Sequence, residues 1–225
     1  QGAVTAAGIA TFLLGATLAL TRTDLKAILA GSTVSHLGIV TMLLGFGTQA
    51  AAAGALLHVL NHAVFKAALF MVAGIVAHAA HARDLNRLGG LGRAMPVAAA
   101  VAVLGGLSMA GVPPFGGFLS KEMMLDAAQA EGPFVMVLVT FGAALSVAYT
   151  ARFVWGIFGG PLRTEAEVKE ATPALLIPAA LLSCLAVALG LAPGMLAAPL
   201  IGAAATAATG SDPELHLALW HGFSP

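Results

Sequence analysis

The sequence predicts an all-α, polytopic transmembrane helix bundle with one discontinuous helix, broken by proline and glycine. Three observations carry that prediction. Only 9% of the 225 residues are charged and 59% are hydrophobic, whereas a soluble domain carries roughly 25% charged residues. Stretches without Asp, Glu, Lys or Arg run over 1–21, 27–65, 67–82, 94–120, 132–151 and 171–211, and a membrane helix needs about 20 mostly apolar residues. One apolar stretch is interrupted by Val112-Pro113-Pro114-Phe115-Gly116-Gly117-Phe118. The stretches are continuous in Ala, Leu, Val and Gly without period-2 alternation, which argues against barrel strands.

The elements follow in order. Helices are expected near 2–20, 24–46 and 52–79, then an interrupted segment over 96–130, then helices near 134–158 and 173–192. The small apolar stretch 194–209 suits a short helix, and Ser211 to Pro225 turn polar and then aromatic. In the interrupted segment the two prolines and two glycines stop a helix locally. Leu119 to Ala130 can resume it, with Ser120 as N-cap. The two halves, at roughly 24 Å and 18 Å, are each shorter than a bilayer and together suit one crossing. Positive charge supports this. With one crossing, Arg22, Lys26, Arg83, Arg87, Arg93, Arg152, Arg163 and Lys169 all fall on one side. That side is expected to be cytoplasmic, so the loops around Arg22, Arg83–Arg93 and Arg163–Lys169 mark the inner face of a multi-pass cell-membrane protein.

Ten basic residues balance ten acidic ones, so no basic surplus is available for nucleic acid. Hydropathy excludes a disordered chain. The single Cys184 excludes a disulfide framework or multi-cysteine metal site. The chain opens at Gln1 inside an apolar run with no basic leader. No signal peptide is expected, and the chain reads as a fragment of a longer polytopic protein.

The ionisable residues left at apolar depth are the candidate site. Lys66 sits mid-segment, where a charge is costly and usually functional. His58, His62 and Lys66 are spaced i, i+4, i+8 and drift only about 80°, so they share one stripe about 6 Å apart per step. One water can bridge each gap, and neutral imidazole both accepts and donates a proton. The plainer alternative is ordinary interhelical hydrogen bonding. Metal binding by the histidine pair is disfavoured because their helix offers no carboxylate or thiol. Lys121 and Glu122 follow the break, where the amino end of a resumed half-helix is expected to disfavour a lysine cation. A titratable residue at a broken membrane helix is a transporter feature; the alternative is a re-entrant loop whose lysine snorkels to headgroups. Lys26 and His36 lie on the second helix, with Ser32, Thr33 and Ser35 between them. Lys26 either belongs to the interior chain or anchors the helix end.

These residues resemble a known family. Thr23-Asp24-Leu25-Lys26 with Ser32-Thr33-Val34-Ser35-His36-Leu37-Gly38, His58-Val59-Leu60-Asn61-His62-Ala63-Val64-Phe65-Lys66-Ala67, and Gly111-Val112-Pro113-Pro114-Phe115 with Gly117-Phe118-Leu119-Ser120-Lys121-Glu122 are similar, in order, to motifs of the antiporter-like subunits shared by respiratory complex I and multisubunit Na+/H+ antiporters. The Arg83-Asp84-Leu85 loop, Ser120-Lys121-Glu122-Met123 and the tail His216-Leu217-Ala218-Leu219-Trp220-His221-Gly222 look most like the A-type subunits of Mrp-type antiporters. The resemblance implies two inverted five-helix units, of which this chain holds the later part of the second. Residues 1–160 would form the proton-translocating domain, and 161–225 a further helix and terminal segment of the same domain.

The expected function is proton translocation within a monovalent cation (Na+)/H+ antiporter. Lys26, His36, His58, His62, Lys66, Lys121 and Glu122 are the site residues, with Lys26, His58, His62 and Lys66 as a hydrated chain ending at Lys121 and Glu122. Expected partners are other membrane subunits, protons, Na+ or another monovalent cation, and the lipid bilayer. No cofactor or resident metal is expected, because the chain lacks a nucleotide fingerprint, haem motif or iron–sulfur cysteines. The alternatives are a proton-pumping subunit of NADH-quinone oxidoreductase or a related membrane hydrogenase, and a purely structural scaffold.

Overall fold

The computed structural model describes residues 1–210, and the tail motif 216–222 lies outside them. The helices are α1 (Gly2–Thr21), α2 (Leu25–Phe46), α3 (Gln49–Ala79), α4 (Pro96–Ala110), α5 (Gly116–Ala130), α6 (Pro133–Phe158), α7 (Pro173–Leu191), α8 (Pro193–Leu196) and α9 (Ala198–Thr209). Five of them, α1, α2, α3, α6 and α7, are long and apolar enough to cross a membrane. Local chemistry sets the boundaries. Asp24 caps α2 by accepting from the Ala27 N–H, and Thr48 caps α3 by accepting from the Ala51 N–H, satisfying donors that a helix start leaves open. Pro96, Pro133 and Pro173 stand in the first turns of α4, α6 and α7, where a missing N–H costs nothing.

The helix α3 is the spine. Its 31 residues span about 46 Å, and the α4–α5 pair runs antiparallel along its whole length. Leu69 meets Gly105 and Lys66 meets Met109. Beyond the break, Asn61 meets Gly116, His58 meets Ser120, and Gly54 meets Met123. As the α3 number falls, its partner's number rises without reversal. The two half-helices are therefore one interrupted crossing, as the sequence predicts. The boundary differs: the helix resumes at Gly116 with Phe115 at its N-cap position, and Ser120 lies inside α5 instead of capping it. Gly116 and Gly117 start the helix because their missing side chains leave room for Asn61 and for the Ser108 carbonyl.

The short stretch after α7 forms α8 and α9. Ala197, Ile201 and Ala205 pack in one cluster with Ala53, Leu57 and Val64 of α3. Gly190, in the last turn of α7, packs on Pro114 and Phe115, so α7 ends against the break.

The helices α1 and α2 meet through glycine. A side chain at Gly8 or Gly15 would strike the backbone of Met42 or Ser35, and one at Gly38 would strike the backbone of Phe12. Such small-residue seams let membrane helices approach closely. The seam leaves another face of α2, with Ser32 and His36, buried in the interior.

The basic loops gather at one end of the bundle. Leu25 N–H donates to the Arg83 carbonyl, Leu85 N–H to the Thr23 carbonyl, and Gly90 N–H to the Gly159 carbonyl. The Arg83 guanidinium pairs with Asp24 at 2.8 Å, Arg163 donates to the Leu85 carbonyl, and Arg152 donates to the Arg22 carbonyl. At the opposite end, Asp126 and Glu131 line a cavity of about 380 Å³ with Phe46 and Thr48.

Two outcomes are expected. Gly38→Val should destabilise the assembly by about 1–3 kcal/mol through overpacking, whereas Gly74→Val should be neutral because nothing lies within 4 Å of its new Cβ; thermal unfolding in detergent measures both. Asp84 accepts from the Asn86 N–H and the Thr23 hydroxyl, and these bonds, the first above all, hold its carboxyl below the usual carboxylate range. The lowered group stabilises the loop above its unfolded titration and loses that effect as pH falls through the folded one. The protection factor of the Leu85 amide, its exchange relative to the unfolded rate at the same pH, should therefore fall on acidification, and Asp84→Asn should flatten that response.

Candidate functional site

The site lies where α2, α3, α5 and α6 meet around the break. Three rings and a hydroxyl form one buried chain. The Tyr149 hydroxyl is 3.0 Å from His36 Nε2, His36 Nδ1 is 2.9 Å from His58 Nε2, and His58 Nδ1 is 3.0 Å from Ser120 Oγ. Ser120 also donates to the Gly117 carbonyl at 3.2 Å. That last bond orders the rest, because a carbonyl only accepts and a hydroxyl has one proton to give. Ser120 then accepts from His58 Nδ1–H, His58 Nε2 accepts from His36 Nδ1–H, and His36 Nε2 accepts from the Tyr149 hydroxyl. One polarity satisfies every member.

The predicted stripe along α3 is connected differently from the expectation. His58 bonds across helices to His36 and not along α3 to His62. His62 is half-buried, its ring centroid 5.2 Å from that of His36, and its Nε2 has no partner among the described residues. Lys66 turns the other way. Its ammonium donates to Ser32 Oγ at 2.6 Å and approaches Met109 Sδ at 3.3 Å. The i+4 spacing does place these residues on one face, but each finds its partner on a neighbouring helix.

Lys121 also departs from the expectation. It is the sixth residue of α5, past the first turn. Its ammonium reaches back to the Ala110 carbonyl at 2.9 Å and to Ser146 Oγ at 2.5 Å. Ala110 ends α4, and Gly111 turns away in the left-handed region at φ 80°. The cation thus sits at the negative, carboxyl end of one half-helix, a favourable place, and not at the positive end of the next. Lys66 and Lys121 contact the consecutive residues Met109 and Ala110. Glu122 is half-buried beside Lys121.

Lys26 is exposed in the first turn of α2, apart from the buried chain. This corrects its place among the interior relay residues, because Lys26 follows Leu25, which takes the buried position at that helix end.

Four contributors escape the sequence reading. Asn61 donates from Nδ2 to the Gly116 carbonyl at 2.8 Å and tethers the start of α5. Ser120, Ser146 and Tyr149 supply the hydroxyls described above. Tyr149 is the only tyrosine in the chain. With Ser146 and Thr150 it makes an i, i+3, i+4 polar face on an otherwise apolar helix, a signal that could have found it.

Comparisons with known proteins identify a family and a fold. Residues 1–146 match the family described as NADH:quinone oxidoreductase/Mrp antiporter, TM. The chain is 39% identical over 97% of its length to a probable K(+)/H(+) antiporter A/B-type subunit of Rhizobium meliloti, covering 23% of that protein. It is 36% identical over 98% of its length to the A-type Na(+)/H(+) antiporter subunit of Alkalihalophilus pseudofirmus, covering 32% of it. It thus spans about a quarter to a third of these relatives. Among solved structures it resembles a chain of the Mrp complex from a Dietzia species, with TM-score 0.88, 39% identity, and coverage of 99% of this chain and 24% of that one. It also resembles a chain of respiratory complex I from Thermus thermophilus, with TM-score 0.80, 28% identity, and coverage of 91% and 44%.

Asn61→Ala is expected to remove the side-chain hydrogen bond that ties the first residue of α5 to α3, at a cost of about 0.5–1.5 kcal/mol. Faster amide exchange over 116–120 would show it, and unchanged exchange would mean that Asn61 does not hold the break.

Proposed function

The chain belongs to the NADH:quinone oxidoreductase/Mrp antiporter transmembrane family, and from that premise we propose that it is a proton-translocating segment of the A-type subunit in a multisubunit monovalent cation/H+ antiporter. The observation that carries the reading is the buried chain Tyr149–His36–His58–Ser120, with a lysine on either side of it and a broken helix between them. Interior groups in that arrangement are costly unless they work.

A proton accepted at the Tyr149 end displaces the next one along each imidazole. His36 gains a proton at Nε2 and gives one from Nδ1, His58 does the same, and Ser120 passes one on beside Lys121. After one passage both rings carry Nε2–H, so they must reset before the next. Lys66, bonded to Ser32 one turn before His36 on α2, and Lys121 are the charge-bearing stations that bias the direction. Each ammonium repels the next proton onward. Ser35 Oγ, Ser108 Oγ and His62 Nε2 are buried without partners among the described residues, and buried groups of this kind hold ordered water, which suits a hydrated path. The driving energy is about 2.3 kcal/mol per charge per 100 mV.

The basic end of the bundle faces the cytoplasm in this reading, since the alternating topology puts every loop arginine there. The partners are the other membrane subunits of the assembly, Na+ or another monovalent cation, and surrounding lipid. The names of the relatives, one K(+)/H(+) and one Na(+)/H(+), support an alkali cation as the exchanged ion.

Lys121→Ala in the full assembly is expected to abolish cation-dependent proton flux in vesicles while the complex still assembles; undiminished flux would reject its role. Tyr149→Phe removes only the terminal hydroxyl and should slow flux about tenfold or more, as the loss of a proton-transfer group does. Val59→Ala, on an exposed face at 45% exposure, should leave flux unchanged.

A further inference from the structure

We propose that the carboxyl end of α4 is a binding site for a dehydrated monovalent alkali cation, with the Lys121 ammonium as its tethered competitor. The inference rests on the antiport reading above and adds to it the place where cation and proton meet.

Two neutral oxygens, the Ala110 carbonyl and Ser146 Oγ, meet there on the ammonium. The Ala110 carbonyl ends α4 and already holds one positive charge, the ammonium at 2.9 Å. Carboxyl ends of broken membrane helices carry partial negative charge and coordinate small cations. Ser146 donates its proton to the Ala143 carbonyl at 2.8 Å, so its lone pairs point at Lys121 Nζ. Ser108 Oγ, which is 1% exposed and has no partner among the described residues, is a further buried oxygen on the same half-helix. It lies 3.1 Å from where a Cβ on Gly117 would stand, and Gly117 shares a face of α5 with Lys121 at i+4. Ser108 therefore points into the seam between the two half-helices, the seam the lysine crosses. Gly111 is packed against the Lys121 side chain, which keeps the lysine stem beside the oxygens when the ammonium leaves them.

The charges around this point explain why occupancy is exclusive. The groups contributed by the packed helices are His36 from α2, His58, His62 and Lys66 from α3, and Tyr149 from α6. On α5 itself stand Glu122 and Asp126, and α7 offers only the exposed Cys184. Helix α4 contributes no charged side chain. Both oxygens are neutral, and two positive charges on them would repel at close range. Exchange is then one for one. With both rings in the Nε2–H state left by one passage, Lys121–NH3+ gives a proton to Ser120, whose own proton moves to His58 Nδ1 and resets the chain toward Tyr149; the alkali cation takes the oxygens, and the neutral amine keeps its lone pair. Net charge at the oxygens is unchanged. In reverse, reprotonation of the amine expels the cation.

The test uses the purified full assembly and radiolabelled sodium at equilibrium, with proton flux measured in vesicles in parallel. Sodium binding should release protons, and its Kd should tighten about tenfold per pH unit, as one-for-one linkage requires. Lys121→Gln should bind sodium with that pH dependence lost. Ser146→Ala should raise the KM for sodium about tenfold, roughly the effect of one lost hydrogen-bond-strength ligand. A pH-independent Kd in the wild type, or an unchanged sodium KM in Ser146→Ala, overturns the site while leaving proton transport standing. Absence of any cation-coupled proton flux in the wild type overturns the antiport reading and this inference with it.

Discussion

The arrangement of this bundle depends on one constraint: a helix interrupted inside apolar surroundings leaves backbone carbonyls and amides that must find partners. The break between Ala110 and Gly116 meets it with side chains. Lys121 takes the Ala110 carbonyl that the end of α4 leaves open, and Asn61 ties the start of α5 to α3 through the Gly116 carbonyl. Gly111 turns in the left-handed region and donates its own N–H back to Leu107 and Ser108. An unwound segment would otherwise be expensive at this depth. Here its cost is offset by placing an ammonium where a helix end already wants positive charge.

The same constraint ties the break to the imidazole chain. Ser120 stands one residue from Lys121 and bonds both the Gly117 carbonyl and His58. The polarity of the whole chain is thus set by a backbone group at the start of α5. Tyr149 and Ser146, three residues apart on α6, reach the two ends of this system. The hydrogen-bonded chain and the helix break are one structure, so a change at either is felt by both.

Close helix packing makes the chain possible. Tyr149, His36, His58 and Ser120 come from four helices, and hydrogen bonds of about 3 Å demand that their backbones stay near. The glycines of α1 and α2 hold α2 in place from behind, and Gly190 lets α7 seat against Pro114 and Phe115. On the opposite side the fold spends its few charges on loops. The Asp24–Arg83 pair and the Thr23–Asp84 bond clasp the α1–α2 connection to the one after α3, fastening one end of the bundle.

Much of this was legible in the residues alone. Hydropathy and missing charge determined that the chain is a bundle of apolar helices, because burial in lipid leaves few other ways to satisfy the backbone. Proline and glycine between Gly111 and Gly117 determined where one helix breaks. The lone lysines marked the working region, since a charge at that depth is too costly to be incidental. Partnership was decided only by tertiary structure. Periodicity puts His58, His62 and Lys66 on one face but is silent about the helix opposite, so the turn of His58 to His36, of Lys66 to Ser32 and of Lys121 back to Ala110 had to come from packing. Serine and tyrosine carry no charge penalty to betray them, and Lys26 differs from Lys66 in burial, not in residue type. A one-dimensional pattern records which side chains are expensive to bury; which groups answer them depends on distances between segments far apart in the chain.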